Sequence, residues 1–204
     1  MRQIILASQS PRRRELLNAM GLEFTTIPSN FDEYLDDTQP ATQIAQELAL
    51  GKAQEIAKLH PDALVIGSDV IVTVGNRQLA KAADEAEARA MLELVISQPN
   101  RVAAGVAIVC LEDHIQEVGY EDTWVYFKPY DKIRTEEYIR TGDWKDKAGA
   151  YGIQSGAAPL VDYIRGNADT VMGLPTNLVA HMLEKVGISA HPVDVVLPIK
   201  MIAI

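Results

Sequence analysis

Two hydrophobic periods alternate along the chain. Apolar runs at residues 3–7, 63–74, 102–111, 123–127, 160–164 and 193–204 predict strands. Apolar positions three and four apart predict helices over residues 11–20, 42–59, 84–95, 133–140 and 175–186. Strand and helix signals that take turns predict an α/β fold with a central sheet flanked by helices. No helical stretch separates the runs at 102–111 and 123–127, so the sheet is expected to be mixed, with an antiparallel part. Neither an internal repeat nor a linker interrupts the pattern, and residues 1–204 are expected to form a single domain. Residues 141–158 hold four glycines in eighteen positions, and a loop of that length in a compact domain is more often functional than idle.

The departures from the pattern carry the chemistry. Asp69 stands inside the apolar run 63–74. An unpaired buried carboxylate is costly, so Asp69 needs a cation, a metal or strong donors, or it faces a cleft at a strand break. A hydrogen-bonded turn at Gly67-Ser68-Asp69 is the other reading. Lys52 falls on the apolar stripe of its helix with Ile44 and Leu48. It either snorkels to water along its stem or meets an anion in a cleft. Glu33, in an acidic loop with Asp32, Asp36 and Asp37, offers a second carboxylate for a divalent cation. Lys81 lies between the Asp69 run and the next helix, and Gln154 places an amide able to read a base edge in the glycine-rich loop.

Near the start, Ala7-Ser8-Gln9-Ser10-Pro11-Arg12-Arg13 links a strand to a helix. Ser10 suits the N-cap and Pro11 the first helical position. Free N–H groups beside Arg12 and Arg13 make this a candidate phosphate cradle, with a capped surface helix as the plainer alternative.

Composition narrows the classes. The 204 residues carry a formal net charge of -9, which argues against nucleic acid or an anionic membrane surface as partner. Cys110 is the only cysteine, so no intramolecular disulfide or CxxC metal site exists, and a buried structural thiol is expected. The four histidines show neither HxH nor HExxH spacing. No run reaches the ~18 to 20 apolar residues of a membrane span. With no charged-then-apolar leader at the N-terminus, a cytoplasmic, reducing location is expected.

Together these segments resemble the Maf family of nucleoside triphosphate pyrophosphatases. The matching motifs are Ala7-Ser-Gln-Ser-Pro-Arg-Arg13, Asp32-Glu33, Ala49-Leu-Gly-Lys-Ala53, Gly67-Ser-Asp69, Asp143-Trp-Lys-Asp-Lys-Ala-Gly-Ala-Tyr-Gly-Ile-Gln154 and Gly173-Leu-Pro175. The resemblance implies a mixed α/β fold with a cleft between two lobes, similar to the inosine triphosphate pyrophosphatases. It implies cleavage of a nucleotide between its α and β phosphates with a divalent cation (Mg²⁺, Mn²⁺ or Co²⁺), and a homodimer. On that basis Asp69 accepts the water proton, Glu33 and Asp69 hold metal, and Ser8, Arg12, Arg13, Lys52 and Lys81 contact phosphates. Ala-Tyr-Gly-Ile-Gln resembles the branch acting on dTTP and UTP, with Arg12, Val70 and Gln154 at specificity positions. Val70 stands where the family has threonine, and Ala80-Lys81-Ala82 where it has Gly-Lys-Pro. Residues 97–106 lack the histidine and threonine usual there. Two other outcomes fit these departures: a low-turnover nucleotide-binding regulator of cell division, or an enzyme for a modified nucleotide such as a methylated pyrimidine or 7-methylguanosine triphosphate.

Overall fold

The computed structural model describes residues 2–203. Its centre is one eight-stranded mixed sheet of order β2-β1-β3-β5-β6-β7-β8, with β4 paired to β3. The strands are β1 (Ile4–Leu6), β2 (Thr25–Thr26), β3 (Leu64–Val74), β4 (Arg77–Leu79), β5 (Asn100–Cys110), β6 (Ile115–Phe127), β7 (Val161–Arg165) and β8 (Lys200–Ile202). Pairing is parallel at β1–β2, β1–β3 and β7–β8 and antiparallel from β3 through β5 and β6 to β7. The expected mixed sheet is therefore present, and the two strand signals that adjoin without a helix, β5 and β6, pair antiparallel within its centre.

Helices α1 (Pro11–Ala19), α2 (Ala41–Leu59), α3 (Glu85–Ser97), α4 (Lys132–Thr141), α5 (Ala168–Met172) and α6 (Thr176–Lys185) surround it. Strand β3 is buried on both faces because each successive side chain meets a different helix layer. Val65 and Ile71 pack under α2 with Ala49, Ala53, Ile44 and Leu48. On the opposite face, Leu64 and Ile66 join Leu16, Leu17, Val179 and Leu183 of α1 and α6. Val72 and Val74 join Leu92, Val95 and Ile139 of α3 and α4. The helix cover on that face thus changes partners midway along β3, at Ser68 and Val70.

Two glycines set the height of α2 above the sheet. A Cβ on Gly67 would lie 2.2 Å from the Ala49 carbonyl oxygen, and one on Gly105 would lie 2.1 Å from that of Ala45. Gly105 is the cross-strand partner of Asp69. The close approach of α2 therefore occurs beside the buried aspartate.

Three sequence expectations change. The strand predicted over 193–204 shortens to Lys200–Ile202, because Pro192 and Pro198 cannot donate to a ladder. Val193 and Val195 of that segment pack against the core outside any strand. The strand signal at 123–127 is the end of a longer β6, whose first half alternates between exposed and half-buried positions. Strands β2 and β4 and helix α5, each of five residues or fewer, were too short for a periodic signal.

Candidate active site

A cleft of about 800 Å³ is lined by the Ser8–Arg13 turn, Glu33, Lys52, Asp69, Val70, Lys81, Gln154 and Gly173, among others. Every residue singled out from the sequence as a candidate site residue lines it. Six cationic side chains (Arg12, Arg13, Lys52, Lys81, Lys145, Lys147) face three carboxylates (Glu33, Asp69, Asp146). The cleft is locally positive although the chain carries -9, so an anionic ligand meets attraction at this one place.

Asp69 belongs to an unbroken strand, which removes the turn reading at Gly67-Ser68-Asp69. Its burial is balanced by cations. Lys52 donates to Asp69 Oδ1 from α2, and Arg13 Nη2 lies 3.9 Å from the same oxygen. Both contacts fall on Oδ1, leaving Oδ2 turned to neither cation.

Lys52 does not snorkel. Its side chain is only 7% exposed, and its ammonium also donates to Glu33 Oε1 at 2.6 Å. Glu33 reaches Lys52 because its loop is seated on α2 through Phe31. The Phe31 ring occupies the notch left by Gly51, where a Cβ would stand 2.3 Å from ring carbon Cζ. Lys81 Nζ lies 3.4 Å from Glu33 Oε2. Partial burial alone would raise the Glu33 carboxyl, but the Lys52 hydrogen bond and the Lys52 and Lys81 charges prevail and lower it.

The turn before α1 forms as expected, with Ser10 as N-cap and Pro11 opening the helix. Its two arginines have different surroundings. The Arg13 guanidinium donates to the Gly173 carbonyl at 3.0 Å and to Ser8 Oγ at 3.2 Å. Burial lowers its proton affinity, and the Asp69 and Glu33 charges oppose that effect. Arg12 lines the cleft and enters no ion pair among the described residues. The Gly173 carbonyl also accepts from Ser68 Oγ at 2.8 Å. It thus ties α1, β3 and the end of α5 around the aspartate. Gly173 has φ of 113°, and a Cβ there would stand 3.2 Å from Arg13 Nε. Gly173-Leu-Pro175 was visible in the sequence as a motif, but a carbonyl acceptor leaves no side-chain signal.

The glycine-rich loop forms the opposite wall. It is joined to the segment carrying Lys81 by an isolated bridge between Lys81 and Ala148, and Gly149 N donates to Ala80 O at 3.1 Å. Asp143 holds the loop on itself. It accepts from Lys147 Nζ at 2.9 Å, Ser155 Oγ at 2.6 Å and Gly156 N at 3.1 Å. Burial raises the Asp143 carboxyl, but the Ser155 and Lys147 contacts outweigh it and lower it. Tyr151 lines the cleft, stacks edge-on against Phe127 at 5.0 Å and keeps a buried hydroxyl without a partner among the described residues. Tyr138 beneath the loop is also buried, with the Gly152 backbone at its hydroxyl, and burial pushes both phenols well above their ordinary range. The clip made by Asp143 joins residues up to thirteen positions apart, so no single short spacing announced it.

Away from the cleft, Cys110 is buried as expected, with its thiol toward the Pro61 carbonyl. Among the described residues no group of three or more His, Cys, Asp and Glu side chains could hold a metal by itself. No helix there is long and apolar enough to cross a membrane.

The model of the Maf-like protein family matches residues 3–186. The dTTP/UTP pyrophosphatase of Symbiobacterium thermophilum is 40% identical over 187 residues, covering 92% of this chain and 95% of its own. The dTTP/UTP pyrophosphatase of Halalkalibacterium halodurans is 42% identical over 191 residues, with 94% and 100% covered. That of Shouchella clausii is 42% identical over 185 residues, with 91% and 96% covered. Among solved structures, the Staphylococcus aureus Ham1 protein overlaps 62% of the chain and 72% of its own at 14% identity, with a TM-score of 0.43, too distant to bear on the site. A match spanning nearly the whole chain and relatives aligned almost end to end place this chain in the Maf family.

Proposed function

We propose that the protein hydrolyses dTTP and UTP between the α and β phosphates, releasing the nucleoside monophosphate and pyrophosphate. The observation that carries the proposal is the buried cluster of Asp69, Lys52, Glu33 and Arg13 in a cationic cleft whose far wall holds Gln154. A triphosphate bears charge to match that excess of cations. Arg12, Lys52, Lys81, the outer edge of Arg13 and the Ser8 hydroxyl would hold its oxygens, and Gln154 would read the base edge with Arg12 and Val70 beside it. Relatives bearing the name dTTP/UTP pyrophosphatase support this substrate choice over the regulator and the modified-nucleotide enzyme.

The donor set suits Mg²⁺, Mn²⁺ or Co²⁺ only in company. Two carboxylates are few for a protein-built site, but such ions commonly take one or two carboxylates plus substrate phosphates. Glu33 and Asp69 would hold the ion, and the Lys52 ammonium between them marks that place as one already favouring a cation. When bound, the ion neutralises phosphate charge and polarises the reacting phosphorus.

In the reaction, Asp69 orients a water through Oδ2 and accepts its proton as the oxygen attacks the α phosphorus. Arg13 stays beside Oδ1 and so fixes the direction of Oδ2. Lys81 and Arg12 bear on the charge that passes to the departing pyrophosphate. Gly173 and Ser68 keep Arg13 in place throughout. The whole chain works as one domain around this cleft, in the cytoplasm.

The partner in solution is a second copy. Val118, Tyr120 and Trp124 on β6 and Ile202 on β8 are exposed side chains on a sheet flank that α2 leaves uncovered. Light scattering reading twice the chain mass, and half of it for Trp124→Glu, is the expected result. Release of pyrophosphate across natural and methylated triphosphates with Mg²⁺, Mn²⁺ or Co²⁺ tests the activity itself. Turnover led by dTTP and UTP is expected, whereas tight nucleotide binding without turnover would favour the regulator.

A further inference from the structure

The Lys52 ammonium occupies the space between Glu33 and Asp69 that would receive the metal. It contacts one oxygen of Glu33 at 2.6 Å and one of Asp69, and it is nearly sealed from solvent. We propose that Lys52 is a resident counter-cation that seats itself between Glu33 and Asp69 in the free enzyme and gives up that seat only when nucleotide phosphate is present to receive it. Metal and nucleotide then enter as a unit, and a divalent ion alone is refused. The inference rests on the reading of Glu33 and Asp69 as the metal's carboxylates.

Three physical points lead to it. An ammonium and a divalent ion sharing the same two carboxylate oxygens repel strongly at such distances. A buried lysine deprived of its anionic partners is itself costly, so it moves only toward another anion. Among the described residues the cleft lining holds no spare carboxylate for that purpose: Asp146 is its one other acidic residue, and it lies on the loop across the cleft. Triphosphate oxygens supply the missing anion.

The surroundings permit this exchange without moving the backbone. Lys52 arises from the middle of α2, whose distance from the sheet is fixed at Gly67 and Gly105. Its flexible four-carbon stem lets the charge swing while the helix stays. Glu33 is the adaptable partner, half exposed on a loop attached through Phe31. Lys81, already 3.4 Å from Glu33, remains there as a second cation that a metal arriving alone must also overcome.

The test is Mn²⁺ binding followed by the electron paramagnetic resonance signal of the free ion, which needs no turnover. Wild type, Lys52→Gln, Lys52→Met and Lys185→Gln are titrated with Mn²⁺ alone and again with α,β-methylene dTTP. Lys52→Met keeps the stem should the buried amide of Lys52→Gln disturb folding. Lys185→Gln makes the same change in net charge at a surface pair with Glu117. Removing the ammonium is expected to tighten Mn²⁺ binding without nucleotide by about tenfold or more. Lys185→Gln should leave it unchanged, and the analogue should tighten binding to wild type. Wild type binding Mn²⁺ alone as tightly as both Lys52 variants would overturn the exchange, as would an equal gain in Lys185→Gln. Asp69→Asn with the analogue separates the two ideas. Loss of Mn²⁺ there, with no gain in the Lys52 variants, removes the exchange and keeps the metal seat; retention of Mn²⁺ removes both.

Discussion

The two walls of the cleft are built differently. The wall around Asp69 consists of regular elements clamped against each other: α2 on Gly67 and Gly105, and α1 drawn to β3 through Arg13, Gly173 and Ser68. The wall around Gln154 is a loop with left-handed residues at Asp146, Gly149 and Ala150, held by one carboxylate and one backbone bridge. It also keeps the buried Tyr151 hydroxyl without a partner among the described residues. Phosphates are the same in every nucleotide, so rigidity at that end costs nothing in choice. Bases differ, and the part that distinguishes them sits on the more easily altered support. The contrast predicts that variants at the first wall change rate and stability, while variants at the second change substrate preference.

The largest effect is expected at Asp69. Asp69→Asn keeps shape but loses the proton acceptor and the charge facing Lys52 and Arg13, so kcat for pyrophosphate release should fall by about 10²- to 10⁴-fold and the thermal midpoint should fall as well. Next comes Gly105→Ala, which drives a methyl into the Ala45 carbonyl beneath α2. It should cost about 1–3 kcal/mol in denaturant unfolding and reduce activity by displacing Lys52. At the other wall, Asp143→Asn weakens the clip to Lys147. KM for dTTP and UTP should rise about tenfold while kcat changes less, and the lead of these nucleotides over CTP should shrink. A stability loss as large as that of Gly105→Ala would break the contrast between the walls.

Smaller effects sharpen it. Tyr151→Phe deletes a buried hydroxyl with no partner among the described residues, so unfolding free energy should stay level or rise by up to about 1 kcal/mol. A drop would mean the Tyr151 hydroxyl has a partner. At Glu33 the carboxyl is lowered by its lysines. Its pairing is therefore present above the unfolded-state value and is lost as pH falls through the lower folded value. Carboxyl carbon NMR should place the Glu33 midpoint below that of a free glutamate, and Lys52→Met should move it up.

Much of the first wall was legible in the sequence because it breaks patterns that are themselves strong. Asp69 in an apolar strand and Lys52 on an apolar helix stripe each stood out alone, and the structure makes them partners. The Ser8–Arg13 turn was equally visible, since a serine cap and a proline at the first helical position specify local geometry. What stayed hidden was mediated by backbone. The Gly173 carbonyl that orients Arg13, and the depth at which α2 rests, depend on atoms every residue possesses. The second wall showed its glycines and Gln154 but not the Asp143 clip, whose members have no fixed periodic relation. The strand expected over 193–204 failed for a plainer reason, as Pro192 and Pro198 outweigh an apolar composition.

Hydrolysis of dTTP in ¹⁸O-labelled water, with products read by mass spectrometry, reports which phosphorus the water attacks. Water oriented by Asp69 toward the α phosphorus places the label in dTMP and leaves pyrophosphate unlabelled. Label in pyrophosphate, or release of dTDP with inorganic phosphate, would contradict the account.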